Sequence, residues 1–309
     1  MRRQKYGTLK VIKPESEGNR MNKENRMNKE KLSSKIMEYA TYLQGEERSG
    51  NTISKYVRDL RAFYVFWGGG EITKTAVLQW KDKLTQQYAP ASVNSMLAAV
   101  NGFFNWQELP QFKVKPLKIQ REIFARPEKE LTKQEYSRLV QAAQNKHNER
   151  LALLLQTICA TGIRVSELPF ITAKAIHTGR VMVDCKGKSR TVFLPKELCR
   201  SLLRYCREQK ITNGVVFCTA SGAPLDRSNI WRDMKALCIS AGVEQSKVFP
   251  YNLRHLFAGT YYSIEKDLSR LADLLGHSSI TTTRIYTMET GAEHIRQIER
   301  MGLVLAKKE

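Results

Sequence analysis

Five side chains of this sequence together have the chemistry to cleave a phosphodiester bond without a metal ion. Arg164 and Arg254 can each hold a phosphate, because a guanidinium group is planar, stays protonated and binds two oxygens at once. His277 can share protons, and Tyr286, nine residues later, carries a hydroxyl that could attack phosphorus. Lys186 lies in a predicted tight turn between two strands, from which its ammonium could protonate the leaving 5′ oxygen.

Each of these residues also has an ordinary structural interpretation, and neighbours compete for some of the roles. Lys188 is as flexible as Lys186 and is a rival proton donor. Glu167 could pin Arg164 or a neighbouring histidine, or it could be an ordinary carboxylate in the first turn of a helix. His255 is expected to be structural, because adjacent positions of a helix face different directions. The case for chemistry therefore rests on the combination and not on any single side chain.

The composition indicates a partner that is strongly negative. The 309 residues include 51 Lys and Arg against 30 Asp and Glu, which gives a net charge of +21. Such a charge attracts polyanions by counterion release, so nucleic acid is the expected partner. The sequence shows neither an apolar run near the roughly 20 residues that span a bilayer nor a signal-peptide core, so we expect a soluble intracellular protein.

The chain is predicted to contain two folded parts, an arm and a linker. Residues 1–30 hold nine Lys and Arg against four Glu and are predicted to be a flexible basic arm. Residues 31–109 repeat apolar residues at three- and four-residue steps, which predicts a bundle of four amphipathic helices. Residues 110–130 hold three prolines among lysines and arginines and predict a basic linker, either a solvated hinge or a segment along a phosphate backbone.

The last part, 131–309, is predicted to be mostly helical with one small sheet. It opens with a capping box, Thr132 followed three residues later by Glu135. Three β-rich runs are predicted, at 180–185, 190–194 and 215–218, and later helices near 196–209, 226–241, 252–264 and 268–275. The predicted fold class is therefore mainly α with a small β-sheet.

Five motifs resemble, in order and in spacing, those of the tyrosine recombinase family, also called the phage integrase family. They are Thr-Gly-Ile-Arg-Val-Ser-Glu-Leu at 161–168, Lys-Gly-Lys-Ser-Arg at 186–190, Leu-Arg-His at 253–255, Leu-Leu-Gly-His at 274–277 and Thr-x-x-x-Tyr at 282–286. The resemblance spans roughly 130–300, and the helices of 31–109 look like the core-binding domain of that family. It implies a SAM-like four-helix DNA-binding domain followed by an α+β catalytic domain.

The resemblance also implies a role for each candidate residue. Arg164 and Arg254 would clamp the scissile phosphate, Lys186 would act as general acid, and His277 would help to stabilise the transition state. Tyr286 would form a 3′-phosphotyrosine link and release a 5′-hydroxyl that later attacks the partner strand. Because the energy of the broken bond is kept in that link, no cofactor and no metal are expected. The supporting residues would be Glu167, Tyr251 and His255.

The implied partners are double-stranded DNA and further copies of the same chain. The resemblance implies a C-shaped clamp of two domains around duplex DNA and a homo-tetramer on paired sites. The segment 292–305 would be a helix that docks onto a neighbouring subunit, or an ordinary terminal helix packed on its own domain. An accessory directionality protein is a further candidate partner, and the expected location is the nucleoid of a bacterial cytoplasm, away from the membrane.

One position departs from the family pattern. The family usually has a histidine three residues before the second arginine, and here that position is Tyr251. A tyrosine can bind a phosphate oxygen but does not act as a general base near neutral pH in the same way. Removal of the proton from Tyr286 would then be weaker, or would fall to His277 or water.

Several outcomes of the same chemistry stay open. The first expectation is integration or excision of a mobile element, and the alternatives are Xer-like resolution of replicon dimers, inversion, or simple relaxation of DNA. The short stretch ahead of residue 31 leaves no room for a separate arm-binding domain, which favours a simple recombinase. A DNA-binding regulator on a decayed integrase scaffold is the alternative from another class, with Tyr251 as the first sign of decay.

Overall fold

The structure of the chain is a computed structural model, which describes residues 33–69, 71–120, 127–185, 188–286 and 291–303. The chain divides into two compact units, Met1–Arg121 and Glu122–Glu309. Helices dominate both, and a two-stranded sheet lies in the second unit, so the predicted fold class is confirmed. Within the described ranges, no helix is long and apolar enough to cross a membrane. The predicted arm lies outside them.

In its described part, the first unit is built around four helices: α1 (33–45), α2 (Gly50–Trp67), α3 (Lys74–Gln87) and α4 (Pro90–Trp106). The apolar residues whose spacing predicted these helices are the ones buried between them. Trp80 packs edge-on against Phe63 in this core, with ring centroids 5.1 Å apart. Polar caps begin two of the helices, since Ser49 caps α2 and Thr73 caps α3.

The chain that follows α4 runs back along that helix and is held there by two asparagines. The Asn101 side chain donates to the Val114 carbonyl at 2.9 Å and accepts from the Val114 amide at 3.0 Å. Asn94, two turns earlier, makes the same pair of bonds with Leu117, at 2.9 and 2.7 Å. Within the predicted linker, the backbone groups of Val114 and Leu117 are therefore bonded to α4.

The second unit has a single helix at its centre. The elements are α5 (Lys133–Asn145), α6 (Glu149–Thr161), α7 (Ala173–Thr178), β1 (Arg180–Cys185), β2 (Lys188–Phe193), α8 (Lys196–Glu208), α9 (Arg227–Lys235), α10 (Cys238–Ala241), α11 (Pro250–Glu265), α12 (Leu268–Leu275), α13 (Ile280–Thr283) and α14 (Gly291–Arg300). Helix α6 is buried along most of its length and packs against α5, α8 and α11. Helix α5 starts at the predicted capping box, in which the Thr132 amide donates to the Glu135 carboxylate at 2.8 Å.

The sheet is an antiparallel hairpin in which Arg180 lies opposite Phe193 and Cys185 lies opposite Lys188. The third predicted run, 215–218, is not a strand and makes only isolated bridges. Its backbone is bound by two different segments, because the Val216 amide donates to Ile171 while the Phe217 carbonyl accepts from Leu225.

Two predicted helices have different bounds. The stretch 226–241 is two helices, α9 and α10, because the chain turns between them and lets Leu237 and Cys238 enter the core. Helix α11 starts at Pro250, two residues before its predicted start. Proline suits that first position, since its missing amide hydrogen would have no helical partner there.

Candidate active site

Two tight turns carry residues of the candidate site, and a glycine in the left-handed region makes each turn. Gly162 ends α6 at φ +63°, and a Cβ added to it would lie 2.5 Å from the Phe257 ring. Gly276 ends α12 at φ +62°. Because this region favours glycine, both turns are fixed by residue type. They place Arg164 three residues after the end of α6 and His277 two residues after the end of α12.

Glu167 is buried and shares its carboxylate between two arginines. Its Oε1 accepts from Arg164 Nη1 at 2.8 Å, and its Oε2 accepts from Arg190 Nη2 at 2.6 Å. The Arg164 amide also donates to Oε2, at 2.9 Å. Burial acts to raise the pKa of Glu167, but the hydrogen bonds from Arg164 and the two guanidinium charges outweigh it, so this pKa is lowered. The carboxylate is therefore ionised at neutral pH.

Arg254 lies on α11, is only 5% exposed, and is held by backbone carbonyls. Its Nη1 donates to the Gly162 carbonyl, and its Nη2 donates to the Leu275 carbonyl at 2.7 Å. Burial, followed by repulsion from Arg164, lowers the pKa of Arg254 to about 10, so the guanidinium stays charged at neutral pH. It forms no ion pair with a carboxylate among the described residues, and a buried charge of this kind favours an anionic ligand.

The ring of His277 has a defined tautomer. Arg254 Nη2 lies 3.0 Å from His277 Nε2, and because arginine can only donate, Nε2 carries no proton. The proton is therefore on Nδ1, which donates to Thr283 Oγ1 at 2.8 Å. Burial, followed by the charges of Arg254, Arg164 and Arg190, lowers the pKa of His277 to about 4. The ring is thus neutral at pH 7.

Tyr286 closes a short 3-10 helix and is buried between two histidine rings. The His277 ring is nearly parallel to it at a centroid distance of 5.9 Å, and the His255 ring meets it edge-on at 4.9 Å. The Tyr286 hydroxyl lies close enough to Arg254 and to Tyr251 to act on the pKa of each, in the direction of raising both. The rings fix the direction of the phenol, and the guanidinium faces the oxygen that would become negative.

Tyr251 and His255, four residues apart on α11, are neighbours with ring centroids 6.0 Å apart, and both rings contact the Tyr286 ring. Tyr251 stacks on Phe249 at 6.2 Å and is 45% exposed. Burial and the neighbouring Tyr286 raise the pKa of Tyr251 above its usual range, so it stays protonated at neutral pH. Burial lowers the pKa of His255, and the nearby backbone of Ile285, in the turn that carries Tyr286, acts in the opposite direction.

These residues surround a cavity of about 840 Å³. Its walls include both candidate phosphate-binding arginines, Arg164 and Arg254, and the rings of His277 and Tyr286. The first turn and middle of α9 add Arg227 and the half-exposed Trp231 to the rim. The cavity is large enough and positive enough to receive a phosphate group and the sugar on either side of it.

The structure joins most of the residues selected from the sequence into one connected cluster: Arg164, Glu167, Tyr251, Arg254, His255, His277 and Tyr286. Lys186 lies outside the described residues, and so does the side chain of its rival Lys188.

Sequence reasoning assigned no role to two residues of the cluster, Arg190 and Thr283. Arg190 stands at the end of one family-like motif, and a signal for its role is present in the alternation of β2. It lies two residues before the buried Val192, so both side chains face the interior. An arginine in the inward register of a strand needs a buried partner, which here is Glu167.

Comparison with known proteins identifies both units. The profile of the phage integrase family matches residues 129–293, and that of the phage integrase N-terminal SAM-like domain matches residues 36–109. The tyrosine recombinase XerA of Pyrococcus furiosus is 30% identical over 286 residues, which cover 88% of this chain and 96% of that protein.

Solved structures share the fold at lower identity. A XerH site-specific recombinase bound to palindromic difH substrate has a TM-score of 0.68 and 19% identity, and covers 86% of this chain and 83% of that one. A lambda integrase tetramer bound to a Holliday junction has a TM-score of 0.66 and 18% identity, and the match covers 82% of this chain and 76% of that one.

The neutral state of His277 can be measured directly. We expect its Cε1 proton to titrate with a midpoint near pH 4 in the free protein, assigned by its loss in His277→Gln. Saturating inorganic phosphate should raise the midpoint, because an anion beside the ring favours the charged form. The pKa of His277 in the folded protein lies below the ordinary value of 6.5. The contribution of the neutral ring to the free energy of unfolding is therefore fully present above pH 6.5 and is lost as the pH falls towards 4. A midpoint near 6.5 in the free protein would contradict the burial argument.

Proposed function

This chain belongs to the phage integrase family, and we propose that Tyr286 is the nucleophile with which it exchanges strands between two specific DNA sites. The chain is a tyrosine recombinase, an enzyme that cleaves and rejoins DNA strands. One observation carries the assignment of the nucleophile. The buried Tyr286 lines the same cavity as Arg164, Arg254 and His277, and its hydroxyl lies close enough to the charged Arg254 guanidinium to act to raise the pKa of that group.

In the proposed step the Tyr286 oxygen attacks the scissile phosphorus, the bond from phosphorus to the 5′ oxygen breaks, and a 3′-phosphotyrosine forms. The phenolic proton goes to His277 or to water, and the leaving 5′ oxygen takes a proton from a general acid. Reversal by a 5′-hydroxyl of the partner strand restores the tyrosine and joins the new strands. The number of phosphodiester bonds is conserved, so the cycle needs no external energy.

The arginines stabilise the charge that develops on the two non-bridging oxygens. Arg164 and Arg254 are held in place before DNA arrives, by Glu167 and by backbone carbonyls, so little reorganisation is needed at the moment of reaction. His277 supports the same oxygens once a bound phosphate has raised its pKa. We propose Lys186 as the general acid on the ground of its motif.

The DNA surface is proposed to extend from the cavity along α9. Arg227, Trp231 and Lys235 follow one another at four-residue steps on the exposed side of that helix, and the Lys235 ammonium lies 5.5 Å from the Trp231 ring centre. Arginine and lysine bind phosphates, and the tryptophan adds a flat apolar face. The net charge of +21 supports the same partner, double-stranded DNA.

We propose that α14 holds a tetramer together. It presents Ile295, Ile298 and the following Met301 to solvent. A mostly apolar groove of about 540 Å³ between α5, α6 and α11 is lined by Tyr136, Phe257 and other residues. Burying such a helix face in this groove of a neighbouring copy would cover apolar surface on both partners. The lambda integrase tetramer on a Holliday junction is consistent with this assembly.

Two biological outcomes follow from the same chemistry. Integration or excision of a mobile element is proposed first, with an accessory protein setting direction. Resolution of replicon dimers is the second candidate, and the match to XerA along 96% of that protein favours it. Sequencing the DNA that stays covalently bound to the protein after rapid denaturation of host cells separates them. Element ends indicate the first outcome, and one fixed chromosomal site without an element indicates the second.

Replacing Tyr286 by Phe should abolish covalent trapping and leave DNA affinity within about threefold, because the hydroxyl makes no contribution to counterion release. The measurement uses a duplex that carries the mapped site with a nick beside the cleavage position, followed by denaturing gel electrophoresis and a salt titration of binding. Covalent trapping that persists in the variant would mean that another residue is the nucleophile. Absence of trapping in the wild-type chain would favour the alternative of a DNA-binding regulator on a decayed integrase scaffold.

Replacing Tyr251 by His should speed formation of the covalent complex by roughly tenfold or more, because a neutral imidazole can take the phenolic proton that Tyr251 cannot accept. Single-turnover trapping on the nicked duplex, from pH 6 to pH 9, measures this gain. The rate of the variant should fall at the acid end, where the new imidazole becomes protonated. No gain at any pH would contradict the expectation that Tyr251 weakens removal of the proton from Tyr286.

Replacing Ile298 by Asp should weaken assembly on paired sites by at least roughly tenfold, because a carboxylate would enter an apolar contact. Ile239→Asp is the matched control, since Ile239 is equally apolar and 89% exposed on α10. Mass photometry on duplexes with one or two sites counts the bound copies. Binding to a single site should be unchanged in both variants, and tetramers of Ile298→Asp at wild-type level would refute the docking role.

A further inference from the structure

Arg190 joins two parts of the site that come from different segments of the chain. It lies on β2, and its side chain is only 12% exposed. Its Nη2 donates to Glu167 Oε2 at 2.6 Å, and its Nη1 donates to the Leu274 carbonyl at 2.7 Å. One guanidinium therefore binds the carboxylate that holds Arg164 and also the last turn of α12, which precedes His277.

The charges of the cluster explain why Glu167 needs a second cation. A carboxylate that belonged to Arg164 alone would neutralise it, and Arg164 would approach the phosphate as half of an ion pair. Because Glu167 divides its two oxygens between Arg164 and Arg190, the group of three carries one net positive charge. The net positive charge is presented to the cavity by Arg164, because Arg164 lines the cavity and Arg190 does not.

The turn at Gly276 is shaped around the same side chain. A Cβ on Gly276 would lie 2.7 Å from Arg190 Nε and closer still to its Cδ, so only glycine leaves room for the arginine stem. The Gly276 carbonyl in turn accepts from Arg164 Nη2 at 3.2 Å. Arg190 thus packs beneath the turn whose carbonyl orients Arg164, and it sets two of the contacts of that guanidinium.

We propose that Arg190 is a positioning residue of the cleavage reaction, which offsets the charge of Glu167 and so keeps Arg164 positive and aimed at the scissile phosphate. The proposal rests on the proposed function, because it assigns Arg190 to the same phosphate site. Arg190 touches no substrate in this account. It acts through Glu167 and through the turn at Gly276.

The test compares two arginines of one hairpin. Arg190→Met removes the buried charge, and Arg180→Met removes a charge from the other strand, where Arg180 is exposed and stacks on Phe193. On the nicked duplex, Arg190→Met should cleave roughly tenfold to a hundredfold more slowly, because a small misplacement of Arg164 weakens its contact with the phosphate. Arg180→Met should cleave at the wild-type rate. Equal rates for the two variants would overturn the proposal.

A second substrate separates positioning from folding. In a duplex with a methylphosphonate at the scissile position, one non-bridging oxygen is replaced by a neutral methyl group, so less positive charge is needed. The rate gap between wild type and Arg190→Met should shrink to a few-fold on this substrate, because Arg164 carries less of the stabilisation. A gap of the same size on both substrates would mean that Arg190 only maintains the fold.

Two more conservative variants keep the test decisive if Arg190→Met is unstable. Arg190→Lys retains the charge that Glu167 requires and should recover most of the rate, whereas Arg190→Gln retains polarity alone and should not. Equal rates of these two would contradict the charge argument. If wild-type protein and Arg180→Met also fail to cleave either duplex, the proposed function fails, and that result is distinct from a defect confined to the Arg190 variants.

Discussion

The candidate site is built around Arg254, a buried positive charge that has no carboxylate partner among the described residues. In the described part of the chain, Arg254 is bonded to two carbonyls and a neutral histidine, and Arg164 and Arg190 share one glutamate. Concentrating cations away from water is unfavourable, which is why the pKa of Arg254 falls to about 10 and that of His277 to about 4. We expect a bound phosphate to relieve this repulsion. The free site therefore attracts the negative charge that develops on the phosphate oxygens during cleavage.

The turns around this charge depend on small residues and on carbonyls. Gly162 and Gly276 both adopt positive φ, and the carbonyl of each accepts from an arginine of the site. Residues that are distant in sequence therefore meet through backbone groups, whose position depends on the path of the chain. Helix α6 supplies the rigid support, because most of its residues are buried against its neighbours.

Local features of the fold could be predicted because their causes are local. The spacing of apolar residues predicted the helices, and Thr132 with Glu135 predicted the start of α5. The motifs selected the site residues, but their contacts depend on tertiary packing. The neutral tautomer of His277 depends on its burial beside Arg254, and the role of Arg190 depends on Glu167, whose carboxylate contacts β2. Neither contact could be predicted from a local sequence pattern. The isolated bridges at 215–218 likewise depend on which segments the fold places next to this stretch.

The central claim is that the phenol at position 286 becomes joined to DNA. Mass spectrometry of the trapped complex, after nuclease and trypsin digestion, measures this most directly, because the tyrosines that face each other in the cavity fall in different peptides. The account predicts a nucleotide adduct on the peptide 285–296, which contains Tyr286. An adduct on the peptide 248–254, which contains Tyr251, would contradict it.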